Sequence, residues 1–337
     1  MATIPTLNNL KGVFSLISNS RYKDVKGVLK FDSNKKGPTL GITMQTHGDE
    51  PAGLAVLWNF ITSNLQLELK NGSVIFILQN IEAARGYFSL LGDSNRNQYR
   101  YTVNGVNFNR LPEDSLEMQK RVAKGKKLPP LAYEITRLNE LYPIYEEFTH
   151  GYDIHTSQDE IPIIIAGNKF YPELVKGFPI EIVLTNIAEA QLNLPSFSFF
   201  GGLNSNIPVF EIEAGTDEDE KSFQVAIDCS IALMRNLKMI QGETQVAVKH
   251  YKEYFISDIL VLENESFELV KFFEYYERIK KGQPLAKGIT NGKEKIIRAS
   301  TEGHAIFPPL NKKKRDLFSL TEETMFISKP VKKISAK

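Results

Sequence analysis

Short unbroken apolar runs and helix-spaced apolar positions alternate along the first 240 residues. Thr39–Met44 and Ser73–Leu78 are continuous runs of the kind found in strands covered on both faces of a sheet. Pro51 to Leu65 lies between them and reads as a helix, with Pro51 suited to its first turn. Leu131, Ile135, Leu138, Leu141 and Ile144 recur at helical spacing and predict a helix over Pro130 to Phe148, kinked or shortened by Pro143. Further strands are expected at Tyr152–His155, Pro162–Ala166, Ile180–Leu184 and Ile207–Glu213, and a closing helix at Glu218–Leu237. Such alternation predicts an α/β domain. Asn80 to Lys127 is polar and rich in Asn, Arg and Gly, without periodicity, and reads as a long functional loop. After Gln241 the segments become shorter and β-rich, so we expect domains at 1–240 and 241–330, the second a smaller barrel-like module. Its turn Thr301-Glu302-Gly303 holds no lysine, which argues against a carrier module that bears a modified lysine there.

Composition narrows the partners. The 337 residues carry 41 Lys+Arg against 40 Asp+Glu, a balance without the electrostatic footprint of a nucleic-acid binder. The most basic run, Lys312 to Arg315, reads as a solvated face. Cys229 stands alone in an apolar helix-like run, so no intrachain disulfide forms and a packed thiol is expected. The first residues lack a basic region followed by an apolar core, and no apolar run is long enough to span a bilayer. The expectation is a soluble cytoplasmic protein with no membrane partner, its self-association into a homo-oligomer left open.

Chemistry concentrates at the end of the first strong strand, in Thr46-His47-Gly48-Asp49-Glu50. That edge of an open α/β sheet is where ligands bind. A His and a Glu three residues apart on a tight turn opened by Gly48 can face one cation, and zinc favours such N and O donors. A catalytic zinc uses three protein ligands, so a third is expected from another strand end. His155, in Asp153-Ile154-His155-Thr156, supplies it, with Asp153 as a partner to its ring. His150, His250 and His304 sit in no ligand-spaced motif.

These segments together resemble the zinc carboxypeptidase superfamily, and more closely its succinylglutamate desuccinylase/aspartoacylase branch. There the turn reads Gly-x-His-Gly-Asn-Glu, here Gln45 to Glu50; Asp-Leu-Asn-Arg becomes Asn107-Phe108-Asn109-Arg110; Asp-Leu-His becomes Asp153-Ile154-His155. The next strand's Asn-Pro-x-Ala becomes Asn80-Ile81-Glu82-Ala83, and the Glu-x-Gly strand matches Glu211-Ile212-Glu213-Ala214-Gly215. The resemblance covers nearly the whole chain and implies a zinc-carboxypeptidase-like α/β domain with a mixed central sheet flanked by helices, plus the C-terminal module. It implies one Zn²⁺ per chain on His47, Glu50 and His155, and hydrolysis of an amide bond in an N-acyl amino acid or related small carboxylate.

By the same resemblance Glu213 is the catalytic base, although strand alternation puts Glu211 on the same face and the residues alone do not choose between them. Arg100 is the expected oxyanion donor, with Arg96 as its rival, and Asn109 and Arg110 would clamp a substrate carboxylate. Aspartoacylases add an Arg before the catalytic Glu, where this chain has Leu203, and a Tyr from the C-terminal module, where it has Phe307-Pro308-Pro309-Leu310. Lys312 to Arg315 is the other candidate for a carboxylate contact. The alternatives are a carboxypeptidase acting on peptide C-termini and a non-catalytic binding protein on the same fold.

Overall fold

The computed structural model describes residues 4–93, 95–103, 105, 107–110, 133–157, 160–166, 169–186, 207–264, 266–308, 325–328 and 332–335. The chain opens with helix α1 (Leu7–Asn19), started by a reciprocal cap in which Thr6 Oγ1 accepts from Asn9 N–H and Asn9 Oδ1 accepts from Thr6 N–H. Strands β1 (Arg21–Tyr22) and β2 (Val25–Lys26) form a small hairpin before β3 (Val28–Asp32) and β4 (Thr39–Met44). Then come α2 (Ala52–Thr62), β5 (Ser73–Leu78), α3 (Ile81–Ser89), α4 (Tyr133–Tyr145), β6 (His150–Ser157), β7 (Ile163–Ala166), β8 (Ile182–Thr185), β9 (Val209–Thr216) and α5 (Glu220–Asn236). The remaining strands are β10 (His250–Leu260), β11 (Glu268–Leu269), β12 (Arg278–Ile279), β13 (Pro284–Thr290), β14 (Lys293–Arg298), β15 (Gly303–Ile306), β16 (Met325–Ser328) and β17 (Lys332–Ser335).

One large mixed sheet runs in the order β12-β15-β16-β10-β8-β7-β9-β6-β4-β5-β3, with β17 also on β10. Its centre, β5-β4-β6-β9, is parallel, whereas β7 lies antiparallel to β9 and β3 antiparallel to β5. The period-two alternation of β5 shows why the sheet is sandwiched. Val74, Phe76 and Leu78 join the core with α1, α2, α3 and α5, while Ile75 and Ile77 pack with Ile135, Leu138, Leu141 and Ile144 of α4. Each such fully buried side chain contributes roughly 1.5–3 kcal/mol. Strand β10 pairs with β8 over Lys252–Phe255 and with β16 over Ile256–Leu260, so the same sheet continues into the C-terminal strands. A third apolar cluster there includes Leu260, Phe267, Leu285 and Ile327.

The structure differs from expectation in the polar segment after Asn80. Its first part is helical: Asn80 Oδ1 caps α3 by accepting from Ala83 N–H, and Ile81, Ala84, Tyr87 and Phe88 form a buried stripe. Two short 3-10 turns follow, Arg96–Arg100 and Phe108–Arg110, and residues 111–132 lie outside the described ones. That range includes the expected start of α4, Pro130 to Ala132; Pro143 lies inside α4, where it removes the N–H that would bond Asn139 O, and the helix ends two residues later at Tyr145. Cys229 is buried in α5 as expected. No helix among the described residues is long and apolar enough to cross a membrane.

Candidate metal centre

Strands β4, β6 and β9 are neighbours and run parallel, so their C-terminal ends emerge along one edge. Past the end of β4 the backbone reverses at Gln45, which takes the left-handed conformation with φ 53°, and its side chain Nε2 donates to Gly48 O at 2.7 Å. Gly48 passes too close to its neighbours for a side chain: a Cβ there would lie 2.3 Å from Tyr99 O and 2.5 Å from Ala83 C. Gly48 N–H instead donates to Arg100 O at 3.0 Å, clamping the turn beneath the Arg96–Arg100 segment. That segment is held in turn by buried Glu134 of α4, whose Oε1 accepts from Thr102 Oγ1 at 2.6 Å and from Asn80 Nδ2 at 3.2 Å.

The turn brings His47 and Glu50 against His155 of β6. Glu50 lies between the rings: its Oε1 is 2.7 Å from His47 Nδ1 and its Oε2 is 2.6 Å from His155 Nδ1. All three are buried, at 5%, 1% and 1% exposure for His47, Glu50 and His155, so their polarity is not spent on solvent. Two nitrogens and a carboxylate, within 4.8 Å of one another, make a donor set suited to a borderline divalent cation. Behind the rings, His47 Nε2 faces Asn107 Oδ1 at 3.2 Å, and His155 Nε2 lies 3.2 Å from Asp153 Oδ2. Asp153, His155 and Glu211 form a second possible ligand group sharing His155.

Charge balance explains the titration of the cluster. Burial pushes Glu50 upward, but His47, Arg100 and His155 outweigh it and hold the carboxyl well below its usual range. Burial, aided by the Arg100 charge, lowers His47 to about 4, which keeps that ring neutral. His155 goes the other way: burial opposes its charge, yet Asp153, Glu211 and Glu50 hold its pKa well above the usual value. Asp49 is pushed up to about 6 by burial, and Asp217 to about 8 by burial and by the charges of Glu50 and Asp49. A protonated His155 and Arg100 therefore offset Glu50, the charge a bound cation would supply.

Glu213 is the register partner of His155 on β9, one alternation nearer the strand end than Glu211, which pairs with Asp153. Its Oε2 is buried without a hydrogen-bond partner among the described residues. Burial, reinforced by Glu50 and Glu211 against the pull of His155 and Arg100, pushes its carboxyl well above the usual range. Arg100 also reaches the cluster, Nη1 donating to Glu50 Oε1 at 2.6 Å and lying 3.4 Å from Asp49 Oδ1.

Arg96 does not reach the cluster. Its guanidinium forms a fork on Glu218, with Nε donating to Oε1 at 2.6 Å, and Tyr87 Oη donates to the same oxygen at 2.5 Å. Arg96→Met is expected to destabilise the protein by about 1–2 kcal/mol, between exposed and buried ion pairs. Urea unfolding would check this, and an unchanged midpoint would show the fork to be energetically silent. Asn109 N–H donates to Asn107 Oδ1 at 2.9 Å. The Arg110 side chain, Leu203 and the run Lys312 to Arg315 lie outside the described residues. Residues the sequence reading missed are Asn107 as a partner of His47, Asp49 and Asp217 beside Arg100, and Glu134 as the anchor. Asn107 and Asp49 carried a signal, their places in the Asn107–Arg110 and Thr46–Glu50 motifs.

No family model matches the chain, and no curated protein matches it. Solved structures do. A succinylglutamate desuccinylase/aspartoacylase family protein from Shewanella amazonensis is 15% identical, covering 91% of this chain and 94% of its own, with a TM-score of 0.58. A succinylglutamate desuccinylase from Vibrio parahaemolyticus is 14% identical, covering 91% and 86%, with a TM-score of 0.63. The product-bound ectoine utilization protein EutE from Ruegeria pomeroyi is 15% identical, covering 93% of both chains, with a TM-score of 0.58. Across nine-tenths of its length, this chain therefore has the fold of the succinylglutamate desuccinylase/aspartoacylase structures.

Proposed function

We propose that this protein is a zinc-dependent deacylase that hydrolyses the amide bond of an N-acyl amino acid or a related small carboxylate. One zinc per chain is held by His47, Glu50 and His155. The observation that carries the reading is the buried Glu50 carboxylate lying between the Nδ1 atoms of two histidines, 2.7 and 2.6 Å away. The fold shared with structures described as desuccinylases supports the substrate class.

When bound, zinc would supply Lewis-acid polarisation of the scissile carbonyl and of the attacking water. The remaining work falls to side chains. Glu213 takes a proton from the water and hands it to the leaving amine, a role suited to a buried carboxylate whose proton affinity burial raises. Arg100 brings an always-charged donor to the side where negative charge develops on the carbonyl oxygen. Asn109 and Arg110 hold the substrate carboxylate, the guanidinium through a two-pronged contact. On this reading the strands after residue 241 form the module that limits the site to small substrates.

The test is a screen of N-acyl amino acids and short peptides with zinc-loaded protein, reading released amine. Turnover of N-acyl amino acids supports the proposal; cleavage confined to peptide C-termini would replace it with a carboxypeptidase. Metal removal gives an independent check. Free zinc at a hundred times its Kd is expected to stabilise the protein by about 2.7 kcal/mol over the chelated form. His155→Ala should abolish that gain, and a chelator without effect on wild-type Tm would argue against a zinc site.

A further inference from the structure

The two histidines are backed by groups of different charge. Behind His155 stands a carboxylate, Asp153, with Oδ2 3.2 Å from Nε2, an ion-pair approach outside hydrogen-bond geometry. Behind His47 stands an amide, Asn107, itself only 6% exposed. The amide's orientation is fixed independently of the histidine, because its Oδ1 also accepts the Asn109 backbone N–H at 2.9 Å. An oxygen facing His47 Nε2 at 3.2 Å requires that nitrogen to carry the proton. With a cation in place of the proton shared by His47 Nδ1 and Glu50 Oε1, 2.7 Å apart, the Nδ1 lone pair would face the metal while Nε2 keeps its proton.

We propose that Asn107 is a positioning residue that locks His47 in the ligating tautomer, and that its neutral amide makes His47 the weaker of the two histidine ligands. This rests on the zinc reading above. The negative charge of a carboxylate beside Nε2 stabilises positive charge on the ring and makes the opposite nitrogen more basic, whereas a neutral amide fixes the ring with little polarisation. His155 is thus the anchoring ligand and His47 the one through which metal affinity is set. The same Oδ1 starts the Asn107–Arg110 turn through the Asn109 N–H, so the orientation of His47 and the seating of the proposed carboxylate clamp share one acceptor atom.

The experiment compares zinc Kd, by chelator competition, for wild type, Asn107→Asp, Asn107→Ala and Asn109→Asp, together with the His47 Nε2–H proton resonance. Asn107→Asp keeps the shape and the Asn109 contact while adding charge; it is expected to tighten zinc binding about 10-fold and move the resonance downfield. Asn107→Ala should weaken binding by about 10-fold or more. Asn109→Asp places the same charge two residues away and should change Kd far less. Equal Kd and resonance for Asn107→Asp and wild type would overturn the inference and leave Asn107 as a loop brace. Equal tightening by Asn107→Asp and Asn109→Asp would overturn it too, since charge alone would then suffice. If wild type and His47→Ala bind zinc equally poorly, the zinc reading itself fails, which is a different result from stoichiometric binding insensitive to residue 107.

Discussion

Glu213→Gln is expected to lower kcat on an accepted N-acyl amino acid by about 10²–10⁴-fold while leaving zinc affinity unchanged. Glutamine preserves the shape but cannot take up a proton, so the loss isolates proton transfer from substrate binding. The register pairs Glu213 with His155 and Glu211 with Asp153, which puts Glu211 one alternation deeper beneath the edge. Glu211→Gln should therefore retain most of its turnover. A fully active Glu213→Gln, or a Glu211→Gln that is equally dead, would move the base elsewhere. The same substitution should affect stability in the opposite sense. The Glu213 carboxyl titrates well above its unfolded value, so the folded metal-free protein binds more protons than the unfolded chain between those two values. Its contribution is favourable at low pH and falls as pH rises through that window. The neutral glutamine removes this loss, and metal-free Glu213→Gln should have the higher Tm at alkaline pH.

Arg100→Met carries the second large effect. Its guanidinium is the charge partner of Glu50 and Asp49, and its side chain is only 15% exposed. Removing one partner of a buried pair leaves an uncompensated charge, which costs about 3–5 kcal/mol. The size should depend on pH in a defined direction. Asp49 titrates at about 6 with Arg100 present, and higher without it. Above pH 6 the folded variant therefore holds a proton that the wild type has released, and its deficit grows with pH. Zinc should relieve part of the deficit, since a cation beside Glu50 replaces some of the missing charge. The measurement is Tm of metal-free and zinc-loaded protein at pH 5.5 and 8. A variant deficit that is the same with and without zinc would separate Arg100 from the cluster.

How much of this was readable from residue order differs by kind of information. Strands β4, β5 and β7 announce themselves because a central strand must be apolar on both faces. The pairing of His47 with Glu50 follows from their spacing, and His155 from its place at a strand end. Helix α3 was missed because two alanines and Gly86 dilute its apolar stripe; Gly86 is there because the Tyr99 ring packs where a Cβ would sit. The choice between Arg100 and Arg96 was closed to sequence reasoning for a different reason. It depends on which acid each meets, Glu50 or Glu218, and those contacts span 50 and 122 residues. Glu134 was equally hidden, as a charged residue on a helix is normally read as facing water, whereas here it is fully buried beneath Thr102 and Asn80.

Strand β9 is made after β7 and β8 yet lies between β6 and β7 in the sheet. Strands β4 and β6, which carry the cluster of His47, Glu50 and His155 at their ends, are neighbours and both precede β9 in the chain. Strand β7 gains its antiparallel neighbour only once β9 has been made. In chain order the three residues proposed to hold the metal, His47, Glu50 and His155, thus all precede Glu213, the proposed base.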